Sequence, residues 1–124
     1  MTWQQLEERI RSEIKPDHRG ILKCRGDERR SIVSNDGNKI MIRTGVKTHN
    51  TKSITYEMIK YAYEKIVSGE DFNSAYYQKR YKKEYHNGQC RYSAVGGILV
   101  EMGEADRFPY GTDSCIYHKK SNIR

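Results

Sequence analysis

Apolar residues at the start of the chain recur at helical spacing. Trp3, Leu6, Ile10 and Ile14 lie along one stripe, Thr2 with Gln5 three positions on makes a capping pair, and Pro16 stops the pattern. This predicts an amphipathic first helix. Ile21 to Cys24 is a short apolar run after Gly20 and reads as a strand, followed by the polar turn Arg25-Gly26-Asp27-Glu28-Arg29-Arg30. Ser31 to Ser34 and Lys39 to Thr44 flank Asn35-Asp36-Gly37-Asn38, where Asp-Gly supplies the positive φ a tight hairpin needs. In the second of these strands Ile40 and Ile42 alternate with Lys39, Met41 and Arg43, which gives it one apolar face. Gly45 to Ser53 reads as a polar loop.

Thr55 is placed to cap a second helix, with Tyr56, Ile59, Tyr63 and Ile66 on one stripe and Gly69 closing it. Asp71 is the expected cap of a third, from about Phe72 to Tyr85 and ending near Asn87-Gly88. Ser93 is the next candidate cap, ahead of Ala94 to Met102, which is apolar almost all round and ends at Gly103. A helix of that kind is buried, and Gly96-Gly97 lets another backbone come close. Phe108-Pro109-Tyr110-Gly111 reads as a turn, and Cys115 to His118 as a final strand.

The result is one small α+β domain over residues 1–124, with a β-hairpin, about four helices and a C-terminal strand pair. By element order alone, a helix, turn, helix and β-wing, its second half is winged-helix-like. One feature departs from that arrangement. The helix that should enter a major groove has Glu101 as its one charged residue, and no lysine, arginine, asparagine or glutamine between 94 and 102. It cannot read bases.

A chain of 124 residues fits a single hydrophobic core. No apolar run approaches the roughly 20 residues of a bilayer crossing, so no membrane span is expected. Charges interrupt residues 1–15 too often for a secretory signal. Cys24, Cys90 and Cys115 are odd in number and form no C-x-x-C pair, which points to reduced thiols in a cytoplasmic protein, without a metal or other cofactor. Ten tyrosines against two phenylalanines and one tryptophan predict rings that sit half in water.

The net charge of +7 lies in blocks. Residues 31–55 carry four basic and one acidic residue, 76–92 five and one, and 114–124 three and none, separated by two acidic stretches. If these blocks share a face, they make a footprint for a phosphate backbone. The expected function is therefore nucleic-acid binding, to duplex DNA rather than RNA. Lys79, Arg80, Lys82, Lys83 and Arg91 would position the backbone, with Tyr77 and Tyr81 making stacking or sugar contacts. The loop residues Lys47, His49, Asn50 and Lys52 would approach phosphates and base edges, and Lys119 and Lys120 would act as a basic strand end. Two alternatives use the same charges. A small nuclease would draw on His86, Tyr85 or Glu101 as catalytic groups, and a basic inhibitor or adaptor would dock on an acidic protein partner.

Overall fold

The structure, a computed structural model, describes residues 2–43, 50–85, 90–110 and 114–120; at Glu84, Tyr85, Cys90, Tyr110 and Ser114 it describes the backbone alone. The order is α1 (Trp3–Glu13), β1 (Ile21–Leu22), β2 (Arg29–Arg30), β3 (Ile32–Asn35), β4 (Lys39–Arg43), β5 (Thr51–Thr55), α2 (Tyr56–Val67), α3 (Ser74–Arg80), α4 (Lys82–Tyr85), α5 (Cys90–Glu101), β6 (Ala105–Tyr110) and β7 (Ser114–Lys119). The strands form three small antiparallel sheets, β1-β2, β3-β4-β5 and β6-β7. The architecture is α+β.

Local chemistry accounts for the first elements. The Thr2 hydroxyl accepts from the Gln5 amide and the Gln5 side chain accepts from the Thr2 amide, a complete capping box. Gly37 takes the hairpin turn at φ 87°, and the Asp36 carboxylate accepts the Asn38 and Lys39 amides, both at 2.8 Å. Asn35 has a second task that its place in a turn does not advertise. Its amide nitrogen donates to the Ile14 carbonyl at 2.8 Å and the Ile10 carbonyl at 3.2 Å, closing the end of α1, while its oxygen accepts from the Tyr56 hydroxyl at 2.7 Å. One side chain thus ties α1, the hairpin and α2 together.

Several boundaries differ from the sequence reading. Thr51–Ser53 is strand, not loop, because its backbone pairs with Met41–Arg43 whatever the polarity of its side chains. Asn73, not Asp71, caps the third helix, accepting the Tyr76 amide at 2.9 Å. That frees Phe72 to bridge to Tyr117 in both directions, at 2.8 and 2.9 Å. The helix breaks at Tyr81, leaving α4 as a single turn. Ser93 sits buried inside α5 instead of capping it, and Phe108–Tyr110 belongs to β6.

The buried core runs through every layer, and α5 is its axis, with Tyr92 to Leu99 all buried. The two glycines of this helix sit under close neighbours. A Cβ on Gly96 would enter the Tyr117 ring; one on Gly97 would lie 2.7 Å from the Leu22 carbonyl oxygen. The tyrosines are less wet than expected. Tyr77, Tyr92 and Tyr117 are fully buried and ring Phe72, with centroids 5.1–6.3 Å apart. Their hydroxyls find partners inside, Tyr92 on the Cys115 carbonyl at 2.7 Å and Tyr117 on the Ser93 carbonyl at 3.1 Å. Burial pushes the Tyr117 phenol far above its ordinary range.

Cys24 and Cys115 form a disulfide, with Cα atoms 5.3 Å apart and a separation of 91 positions in sequence. This corrects the expectation of reduced thiols. The pairing arises because the β1-β2 turn folds over β7, an adjacency that spacing along the chain does not encode. The ground that cysteine usage offered for a cytoplasmic location goes with it. Among the described residues no helix is long and apolar enough to cross a membrane.

Two outcomes follow. Gly97→Ala should lower the urea midpoint by the equivalent of about 1–3 kcal/mol, although alanine is the better helix former. An unchanged or raised midpoint would mean the helix is not pressed against β1. Alkylation in denaturant should label Cys24 and Cys115 only after reduction. Removing the cross-link should cost about 4–5 kcal/mol by the chain-entropy account, read as a fall in Tm; full labelling without reductant contradicts the disulfide.

Candidate functional site

The capped helices α2 and α3 bring together a group of cations and rings. Thr55 accepts the Met58 amide at 3.2 Å and starts α2, placing Tyr61 and Lys65 one turn apart on a face away from the Ile59, Tyr63 and Ile66 stripe. Asn73 starts α3 and sets Tyr76, Lys79 and Arg80 at the i, i+3 and i+4 positions of one face. These five residues line a groove of about 370 Å³. Lys65 Nζ lies 4.3 Å from the Tyr76 ring centroid and 5.7 Å from that of Tyr61. The Arg80 guanidinium carbon lies 5.6 Å from the Tyr61 centroid and 5.9 Å from that of Tyr81. The Tyr61 hydroxyl donates to the Tyr76 carbonyl at 3.4 Å, holding the two helices in register.

Carboxylates border the groove without filling it. Glu70 accepts from the Tyr76 hydroxyl at 3.1 Å and pairs with Lys65 at 3.5 Å. The hydrogen bond from Tyr76, with Lys65 beside it, holds the Glu70 carboxyl below its ordinary range. Glu57 meets Arg80 at 3.6 Å, but these side chains are 70% and 56% exposed, and such a pair is worth little. Lys79 is exposed and has no ion-pair partner among the described residues. Tyr61 and Lys65 escaped the sequence reading. Their signal was a tyrosine and a lysine four apart and off the apolar stripe of α2.

The other expected contact residues divide. Lys82 and Lys83 are exposed on α4, continuing the cationic surface beyond Arg80. Tyr77 is fully buried, so the stacking role expected for it gives way to core packing against Phe72 and Tyr92. Tyr81 is half-buried, between Tyr61 and Tyr77 at 5.9 and 5.2 Å. Arg91 donates from Nε to the Ser53 carbonyl at 2.8 Å, which joins the 31–55 and 76–92 blocks at one point but commits that nitrogen to positioning. Lys52 is half-buried on β5, and Asn50 is exposed just before it. Lys47 and His49 lie outside the described residues.

The third block stands apart. Lys119 and Lys120 line a depression with Tyr63, Ile66, Val67 and Gly103. At about 100° per residue Tyr63 is roughly 200° around α2 from Tyr61, so this end of β7 lies on the far side of α2 from the groove. Lys119 and Lys120 are therefore not part of the groove surface.

Glu101, named for a nuclease, sits in a different place and is already occupied. Its side chain is 5% exposed, and it accepts from Arg19 Nε at 2.6 Å and Arg29 Nη1 at 3.0 Å. His18 Nδ1 accepts the Gly20 amide at 3.0 Å, so a neutral His18 carries its proton on Nε2, 3.3 Å from the same carboxylate. Burial works against ionisation of Glu101, but the hydrogen bonds from Arg19 and Arg29 outweigh it and hold its carboxyl below the ordinary 4.5. A carboxylate so saturated is a clamp between α5 and the segment from His18 to Arg29, not a base facing substrate. His86 lies outside the described residues and the Tyr85 side chain is not described, so neither joins a described catalytic group. Among the described residues no cluster of three or more His, Cys, Asp or Glu could hold a metal ion.

Compared with protein-family models, curated proteins and solved structures, the chain matches none of them.

Glu101→Gln should destabilise the protein by about 2–3 kcal/mol at neutral pH, because it leaves Arg19 and Arg29 short of a counter-charge. The sign with pH is fixed by the lowered carboxyl: wild-type Glu101 stabilises fully above 4.5, and that contribution is lost as pH falls through its folded value. The gap between the two proteins in denaturant melts should close in acid. A gap independent of pH contradicts the clamp.

Proposed function

We propose that the protein binds nucleic acid through the groove between α2 and α3 and the adjoining cations of α4. The observation that carries this reading is the convergence of Lys65, Lys79 and Arg80 on the rings of Tyr61 and Tyr76. Cations at such spacing neutralise phosphates and release counterions, which supplies affinity without sequence information. The rings add a surface on which bases or sugars pack. Lys82 and Lys83 extend the path, so that four exposed cations follow one another from Lys79 to Lys83.

The winged-helix-like order fits this placement in an altered form. A helix, the Phe72 bridge, three further helices and the β6-β7 hairpin follow one another, with Phe72 paired to Tyr117 of the hairpin. The helix that would read a duplex in such a fold is α5, and it is buried. The nucleic acid must therefore be met by the shorter helices α3 and α4. An acidic protein partner would ask for the same cations; the rings lining the groove favour nucleic acid.

A salt titration tests the reading. Four phosphate contacts give a slope of log K against log salt of about −3.6 on duplex DNA, or about −2.8 on a single strand. The double variant Lys79→Glu with Arg80→Glu should weaken binding and flatten the slope by roughly 1.5. Glu70→Gln should strengthen binding, since it removes the carboxylate that competes for Lys65. Absence of any shift with DNA or RNA would defeat the proposal and leave the acidic partner.

A further inference from the structure

We infer that the groove takes an unpaired nucleotide within a single strand, its base against Tyr76 and the flanking phosphates on Lys79 and Arg80. The inference rests on the nucleic-acid reading above and narrows it to a ligand class. Three observations carry it.

The first is what cannot reach a duplex. Specific duplex readers place a helix or β-ribbon in a major groove about 12 Å wide, with side chains that hydrogen-bond base edges. Helix α5 is buried from Tyr92 to Leu99 and has no such side chain over that stretch beyond the buried Tyr92 and Ser93. The exposed helix α3 has seven residues, a length of about 10 Å, against about 34 Å for one duplex turn. It spans one or two nucleotides of a strand.

The second is the pairing of rings and cations. Lys65 lies on the Tyr76 ring and Arg80 on the Tyr61 ring, so each ring that lines the groove already has a positive charge beside it. In a duplex the base faces are covered by their neighbours and a tyrosine has none to stack on. A single strand offers both a face for the ring and a phosphate for the cation, a combination that recurs in sequence-tolerant single-strand binders.

The third is size and shape. At about 370 Å³ the groove lies within the range of roughly 300–1,000 Å³ typical of small-ligand sites, and it is open to solvent on the side of Lys79 and Arg80, both exposed. A base can lie in it against Tyr76 while the strand continues along Lys82 and Lys83.

The experiment is fluorescence anisotropy of the full chain with a labelled ten-nucleotide strand, the same strand with abasic sites at its centre, and the matching duplex, at one low salt concentration. The base-bearing strand should bind most tightly. Tyr76→Leu, which keeps an apolar side chain without the ring, should cost that strand roughly 5- to 150-fold and the abasic strand little; Tyr76→Phe should bind as wild type. A thermal melt of each variant reports folding, and if Tyr76→Leu fails to fold, the wild-type contrast between base-bearing and abasic strands decides the matter. Equal affinity for abasic and base-bearing strands, or tighter binding of the duplex, overturns the inference while nucleic-acid binding stands. No binding by any of the three overturns both.

Discussion

Helix α5 lies at the centre of the molecule because it has no side chain at two successive positions. Tyr117 packs directly over Gly96, and the Leu22 carbonyl comes within reach of the backbone at Gly97. These two approaches bring the β6-β7 hairpin and the β1 strand onto the same helix from different sides. With side chains there, the sheets would stand off, and the fully buried apolar residues around them, Ile21, Ile98 and Leu99 among them, would lose contact with one another. Interiors packed at crystal-like density transmit such a change widely.

Polar ties then fix what the glycines allow to come close. Glu101 at the end of α5 gathers Arg19 and Arg29, and Arg9 of α1 donates to the Met102 carbonyl just beyond. Arg107 reaches from β6 to the carbonyls of Lys23 and Gly26 at 2.7 and 2.8 Å, and the Cys24–Cys115 bond closes the same seam covalently. Arg9, Arg19 and Arg29 are engaged in this way within the chain, although the Arg19 side chain is 68% exposed. The arginine count therefore overstates the charge offered to a partner, whereas Lys79, Arg80, Lys82 and Lys83 keep theirs at the surface.

The groove depends on the same framework at one remove. Phe72 is held by its bridge to Tyr117, and this sets where Asn73 starts α3 and hence which of its residues face α2. Tyr77 and Tyr76 are neighbours in sequence with opposite fates. Tyr77 turns inward to complete the ring cluster around Phe72, and Tyr76 is left to line the groove with Tyr61. The helical stripe of Tyr77, Tyr81 and Tyr85 is visible in the spacing, but spacing does not say which stripe faces the core.

The amino-acid sequence by itself determined the local elements: the capping box at Thr2, the Asp36-Gly37 turn, the Thr55 cap and the burial of Ala94 to Met102, since each depends on residues within a turn or two of one another. Only the tertiary structure decided the Phe72–Tyr117 bridge, the Cys24–Cys115 pairing, the clamp on Glu101 and the separation of Lys119 and Lys120 from the α2-α3 groove. Those are contacts across 45 to 91 residues. Such contacts depend on how closely the elements around α5 pack, which no local run of residues records.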